Sequence, residues 1–246
     1  VTTDWEAKQF CKLDLDWDYK NRTVAISMKN YVAKALHRFQ SAPPSRAQHS
    51  PHAWNRPVYG THTQLTPPPD TSEPLNAQGL TRLQEIIGVF LYYARAIDST
   101  MLVALGTLAS AQSKGTEATA IAITQLLNYA ATHSNTTITF HASDMYLHVH
   151  SDASYLSESR ARSRAAGYHF LSSRPNDPSA KIDPDATPPP FNGAIHVLSS
   201  IMKVVLSSAA EAELGALFFN GKDAATLRTT LIDMGHPQGA TPMQTD

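Results

Sequence analysis

The sequence predicts an α/β protein: a mixed sheet with flanking helices, preceded by a small hairpin, a short helix and a helical middle. Three observations carry this. The last hundred residues interleave short alternating apolar runs with helix-length segments. Residues 79–133 form an apolar block with helical lengths and few breakers. The first forty residues read as two short strands and one amphipathic helix.

In order, 10–15 and 23–27 read as strands joined by a turn at 18–21. Ser27 is a candidate cap for a helix over 29–39, where Tyr31, Val32, Ala35, Leu36 and Phe39 share one face. Residues 41–74 are rich in proline and without periodicity, ending in Pro67-Pro68-Pro69-Asp70, and read as a long connector. Helices are predicted over 80–96, 100–112 and 116–132, then a strand over 136–141. In the last part, strands are expected at 146–151, 166–172, 194–198, 204–207 and 242–245. Helices are expected at 209–219 and 224–234, with an insertion loop at 175–192. No internal repeat is visible.

At 246 residues there is chain enough for two modest domains. With 42% hydrophobic and 17% charged residues, the composition is that of an ordinary globular protein. The single cysteine, Cys11, excludes a disulfide framework and a cysteine-rich zinc module. The longest apolar run, near 86–94, is too short to cross a bilayer, and the first eight residues lack the pattern of a signal peptide. With no initiator Met, the chain reads as a piece of a longer polypeptide.

The net charge of −1 hides an uneven distribution. Residues 19–66 hold seven Lys or Arg (Lys20, Arg22, Lys29, Lys34, Arg38, Arg46, Arg56) and no Asp or Glu. Such a segment suits phosphate binding, and equally a solvated positive face.

Three carboxylates stand out. Asp152 follows the alternating run Tyr146-Leu147-His148-Val149-His150-Ser151. Glu213 lies in Ser207-Ser208-Ala209-Ala210-Glu211-Ala212-Glu213-Leu214, the opening of a helix. Asp246 closes Pro242-Met243-Gln244-Thr245-Asp246. An Asp ending a strand, a Glu on the adjoining helix and an Asp on a neighbouring strand are the parts of a two-metal nuclease site. Two divalent ions about 4 Å apart activate the attacking water and stabilise the departing oxygen. Hard Mg²⁺ takes oxygen ligands, so carboxylates suit it. Taken singly, each has an ordinary explanation: an Asp after a strand is commonly a cap, and a Glu early in a helix favours the dipole. Glu211 sits about 200° round the helix from Glu213, so only one can face such a site, and Glu211 reads as the exposed one.

Ser151-Asp152-Ala153-Ser154-Tyr155, Arg162 to Tyr168, the run Val204 to Glu213 with its Glu-Ala-Glu, and Gln244-Thr245-Asp246 match in order the motifs of one family. They resemble the ribonuclease H domain of a copia-type LTR retrotransposon polyprotein. Phe10 to Leu15, Arg22 to Met28, Tyr31 to Phe39 and the segment near Ile87-Gly88 and Leu91-Tyr92-Tyr93 resemble that family's reverse-transcriptase palm end, thumb and connection. The resemblance implies three parts: 1–66 end of palm and thumb, 67–143 connector and helical connection, 144–246 a ribonuclease H-like domain. It implies cleavage of RNA in RNA–DNA hybrids with two Mg²⁺ or Mn²⁺ ions held by Asp152, Glu213 and Asp246. Implied partners are the hybrid, a primer–template and the rest of the polyprotein, with no membrane, in a cytoplasmic virus-like particle or the nucleus.

Lys29, Lys34 and Arg38 on the thumb and Arg160, Arg162 and Arg164 after Asp152 are the expected phosphate contacts. The arginines fit a charged hairpin in solvent as well. The family's polymerase aspartates are expected upstream of Val1, and a fourth ligand with a closing helix downstream of Asp246. Polymerisation is therefore not expected of this segment, and a catalytically inactive nucleic-acid-binding remnant is the alternative reading. His148, His150 and Asp152 also alternate on one strand face, the beginning of a zinc-hydrolase reading that lacks its other ligands.

Overall fold

In the computed structural model, residues 3–53, 70–174 and 190–245 are described. Pro67 to Pro69, Arg56, the 175–189 part of the expected insertion loop (with Asp183 and Asp185) and Asp246 lie outside them. The protein is mixed α/β and forms two compact units, 1–17 with 25–138 and 18–24 with 139–246.

In the first unit, β1 (Gln9–Phe10) pairs antiparallel with the start of β2 (Leu13–Asp18), Phe10 opposite Leu13. The single strand expected over 10–15 is thus a tight hairpin, because Cys11 and Lys12 both adopt positive φ and reverse the chain. After β3 (Thr23–Ser27), α1 (Tyr31–Arg38) begins at Asn30, whose φ is 62°. Ser27 is not its cap, because three residues separate it from the first turn. Val32 and Ala35 bury their side of α1, and Tyr31 stacks on Tyr93 with its hydroxyl donating to the Val89 carbonyl at 2.9 Å.

Three helices supply the core of this unit: α2 (Ala77–Ala96), α3 (Leu102–Ala111) and α4 (Glu117–Thr132). Leu83, Ile86, Phe90, Met101, Leu105 and Leu126 are fully buried among them. Helix starts follow the side-chain chemistry. The Asn76 side chain accepts the Gly79 N–H, and Thr116 and Thr119 form a reciprocal capping box. Asp98, 3% exposed, accepts from the Thr100 N–H and the Tyr129 hydroxyl, so this buried carboxylate is saturated with donors.

The second unit takes in β4 (Ile138–His141) from Thr139 on and is built on a four-stranded sheet of order β7 (Ala194–Ile201), β6 (Arg162–Ser172), β5 (Tyr146–Glu158), β8 (Met243–Gln244). β5 (Tyr146–Glu158) and β6 (Arg162–Ser172) are antiparallel, and β6 pairs antiparallel with β7 (Ala194–Ile201). The 25-residue α5 (Ala209–Asp233) then leads to β8 (Met243–Gln244), which joins β5 in parallel, Val149 opposite Met243. Ala212, Ala216 and Ala224 let the helix approach the sheet, where they meet Ala165, Leu147 and Val149.

Three expectations change here. β5 does not end at Ser151, because β6 keeps pairing with it past Asp152 to Ser154 opposite Arg164, and after a bulge Glu158 faces Arg162. Residues 204–207 are not a strand: Val204 and Val205 are 62% and 63% exposed, and only Met202 and Leu206 anchor the segment. The two helices expected over 209–234 are one, uninterrupted at Asn220-Gly221. Asn220 turns its side-chain amide to the sheet, reaching Ser151 and Ala166 as well as the i−4 carbonyl of Ala216, and these partners hold it within the helix.

Candidate functional site

Glu213 is the more connected of Asp152 and Glu213, the two singled-out acids among the described residues. One carboxylate oxygen accepts the Ala153 N–H at 3.0 Å, and the other accepts the Thr245 hydroxyl at 3.0 Å. Ala153 is the residue after Asp152, and Thr245 is the residue before Asp246. One half-buried carboxylate on the second turn of α5 thus holds the chain neighbours of both aspartates.

Asp152 itself lies within β5, opposite Ala166 of β6, with an exposed side chain. It shares a strand face with His150 and His148, as alternation predicts, and stands on the face opposite Ser151. Asp152 and Glu213 both offer oxygen donors of the kind a hard divalent cation takes. Among the described residues no three His, Cys, Asp or Glu side chains gather into a group able to hold a metal; Asp246 is outside that set.

Glu211 is spent on the helix start. Its carboxylate accepts both the N–H and the hydroxyl of Ser207 at 2.6 Å, and Ser208 Oγ accepts the Glu211 N–H at 3.1 Å. The Ser207 hydroxyl and amide hold its carboxyl below the usual carboxylate range. The first-turn acid is thus a capping group, and the acid two positions on is the one beside β5.

The two histidines are packed into aromatic surroundings. His148 stacks on Phe170, ring centroids 5.6 Å apart, and its Nε2 lies 2.9 Å from the Ser173 carbonyl. His150 meets Phe170 and Phe191 edge-on. Burial pushes both imidazoles below their ordinary pKa, with His148 adding to the effect on His150. His148 is thus a buried histidine, stacked among aromatic rings with one ring nitrogen at a backbone carbonyl.

The basic residues divide. Lys29 and Lys34 are exposed at α1; Arg38 is exposed too, but it pairs with Glu85 at 3.1 Å. Arg160 is exposed at the β5–β6 turn with φ 62°, and Arg162 donates to the Ser159 carbonyl at 3.1 Å. Arg164 is a correction: it is 5% exposed, ion-paired to Glu158 at 2.7 Å, and donates to Ser199 Oγ at 3.2 Å. The alternation that suggested a row of three arginines places this one inside the hairpin, where its charge is already matched.

Sequence reasoning missed Asn220 and Gly167. Asn220 is fully buried, and its Nδ2 lies within 3.0 Å of Ser151 Oγ, the Ala166 carbonyl and the Ala216 carbonyl. Gly167 makes room for it: a Cβ there would sit 1.7 Å from Asn220 Oδ1. The i, i+4 series Ala212, Ala216, Asn220, Ala224 was the available signal, since it runs unbroken through the supposed break.

Among the described residues, no helix is long and apolar enough to cross a membrane. No protein-family model, curated protein or solved structure matches the chain.

Proposed function

We propose that the chain is a segment of a copia-type retrotransposon reverse transcriptase and ribonuclease H, whose 144–246 part belongs to a metal-dependent nuclease acting on RNA in RNA–DNA hybrids. The observation that carries this reading is the double hold of Glu213 on Ala153 and Thr245. The motif resemblance names three acids far apart in sequence. In support, the helix acid Glu213 accepts from the residue after the first aspartate and from the residue before the third acid. The sheet order supports it as well, since β8 lies directly beside the strand that carries Asp152.

The oxygen-only donor set of Asp152, Glu213 and Asp246 fits Mg²⁺ or Mn²⁺ and gives no reason to expect a softer metal. When bound, two such ions would activate water and stabilise the departing 3′ oxygen of the RNA strand. The chain's own part is positional. β5 and β6 hold Asp152 in a paired strand, α5 brings Glu213 to the Ala153 amide beside it in the chain, and Glu211 fixes the helix start through Ser207. Arg160 at the hairpin turn, Lys29 just before α1 and Lys34 on it each offer an exposed cation for phosphates. A hybrid would be read through backbone shape and 2′-hydroxyls and not through base sequence.

The test is incubation of the purified chain with a labelled RNA–DNA hybrid, with Mg²⁺ and with EDTA, beside Asp152→Asn. Cleavage that needs both Mg²⁺ and Asp152 is expected. Salt-sensitive binding of the hybrid without any Mg²⁺-dependent cleavage would replace this reading by the inactive nucleic-acid-binding remnant.

A further inference from the structure

The two residues that flank Asp152 are both tied to α5. Ser151 Oγ accepts from Asn220 Nδ2 at 3.0 Å, and the Ala153 N–H donates to Glu213 at 3.0 Å. Glu213 and Asn220 are seven residues apart, close to two helical turns, so both project from nearly the same face of α5. From this geometry we infer that Asn220 is a positioning residue: its amide sets how α5 sits along β5, and so sets the Glu213 carboxylate at the Ala153 N–H, one residue along the strand from Asp152.

Three features make Asn220 more than a filler of space. The two N–H bonds of its amide are shared among three acceptors within 3.0 Å, Ser151 Oγ on β5, the Ala166 carbonyl on β6 and the Ala216 carbonyl of its own helix, so it indexes three elements at one point. Its Oδ1 is buried without a partner, as is Nδ1 of the neighbouring His169, whose Nε2 faces the Asn220 carbonyl at 3.4 Å. Leaving a buried acceptor unsatisfied is costly, and a packed apolar side chain would avoid that cost. The sheet has also given up a side chain at Gly167 to admit this amide.

A purely apolar helix–sheet contact, such as Ala224 and Leu231 on Leu147 and Val149, resists separation but tolerates sliding. Directional bonds to Ser151 and Ala166 do not tolerate it. The metal-site consequence rests on the nuclease reading above; the geometric claim does not.

The experiment compares the wild-type chain with Asn220→Ala and with Ser151→Ala, which removes only the β5 bond and keeps the two carbonyl partners. Two readouts are taken on each. One is amide hydrogen exchange at Ala153 relative to Leu147 and Val149; the other is the Mg²⁺ midpoint of hybrid cleavage. The positioning role predicts that Ala153 exchange speeds up about tenfold while Leu147 and Val149 keep their protection, with a smaller change of the same kind in Ser151→Ala. It also predicts a Mg²⁺ midpoint raised about tenfold at unchanged hybrid affinity. Simple destabilisation would lower the amount of active enzyme and leave the midpoint where it was. If Asn220→Ala does not fold, Ser151→Ala decides alone. Ala153 protection unchanged, or lost together with that of Leu147 and Val149, overturns the positioning role. If the wild-type chain cleaves nothing, the nuclease reading falls, and the exchange data still decide the role of Asn220.

Discussion

The helical block of the first unit and the helix–sheet layer of the second bury their interiors in opposite ways. Around α2, α3 and α4 the core is Leu83, Ile86, Phe90, Leu105 and Leu126, with Asp98 the charged exception, fully met by donors at its edge. Between α5 and the sheet, Asn220, Ser151 and His169 are buried in the middle of the contact, and two of their polar atoms find no partner. The first arrangement gains most of its stability from apolar area, with Asp98 and the Tyr93 hydroxyl among its buried polar groups. The second gives some of that up for directional bonds, and it does so on the stretch of β5 whose Ala153 N–H is held by Glu213. The polar interface is therefore expected to be the more brittle of the two.

The sharpest test of that contrast is a pair of glycines. Gly167→Ala forces a methyl group into Asn220 and should cost about 4 kcal/mol, through overpacking and the loss of hydrogen bonds, or prevent folding. Gly88→Ala, on the exposed side of α2 with nothing within 4 Å of the new Cβ, should stabilise by about 0.5–1 kcal/mol. Denaturant unfolding of both variants measures this. Comparable small effects would show that the polar layer is no more constrained than the apolar one.

Next in size is Arg164→Ala, which leaves the Glu158 carboxylate buried and uncompensated. A loss of about 3 kcal/mol is expected in the same assay. Retained stability would return Arg164 to the list of phosphate contacts.

A smaller effect should come from acid. Burial lowers the pKa of His148, His150 and His169 in the folded protein, from a model value of 6.5. Above that value all three are neutral in both states and contribute no pH dependence. As pH falls through 6.5, the unfolded chain takes up these protons first, so stability declines until the folded-state values are reached. The second unit should therefore lose stability between pH 7 and 5 before the first does. Thermal melts followed by a probe in each unit check this, and a first unit that melts earlier in acid would contradict it.

The same contrast governs what could be read from sequence. The helices α2, α3 and α4 were legible to within a few residues, because an apolar core imposes helical periodicity; α2 starts three residues earlier than expected, at the Asn76 cap that sequence reasoning overlooked. The mixed sheet and the long helix beside it were legible in kind. The errors collect where tertiary contacts override local preference. Asn220-Gly221 looked like a break because the sheet partners of the amide are 54 and 69 residues away. Val204 and Val205 looked like a strand because β-branched residues favour one, but a strand also needs a neighbour to pair with. Within the site, Asp152 and Glu213 were visible as residue types in a recognisable order. That Glu211 serves the helix cap, and that Glu213 grips Ala153 and Thr245, needed three-dimensional neighbours to be seen.

The choice between the two glutamates is where the account is most exposed. Glu213→Gln and Glu211→Gln are chemically identical changes two residues apart, and Mg²⁺-dependent cleavage of an RNA–DNA hybrid can be measured on both. The account predicts that Glu213→Gln abolishes cleavage with the fold intact, while Glu211→Gln cleaves at close to the wild-type rate and melts at a slightly lower temperature. Cleavage that survives in Glu213→Gln but is lost in Glu211→Gln would contradict it.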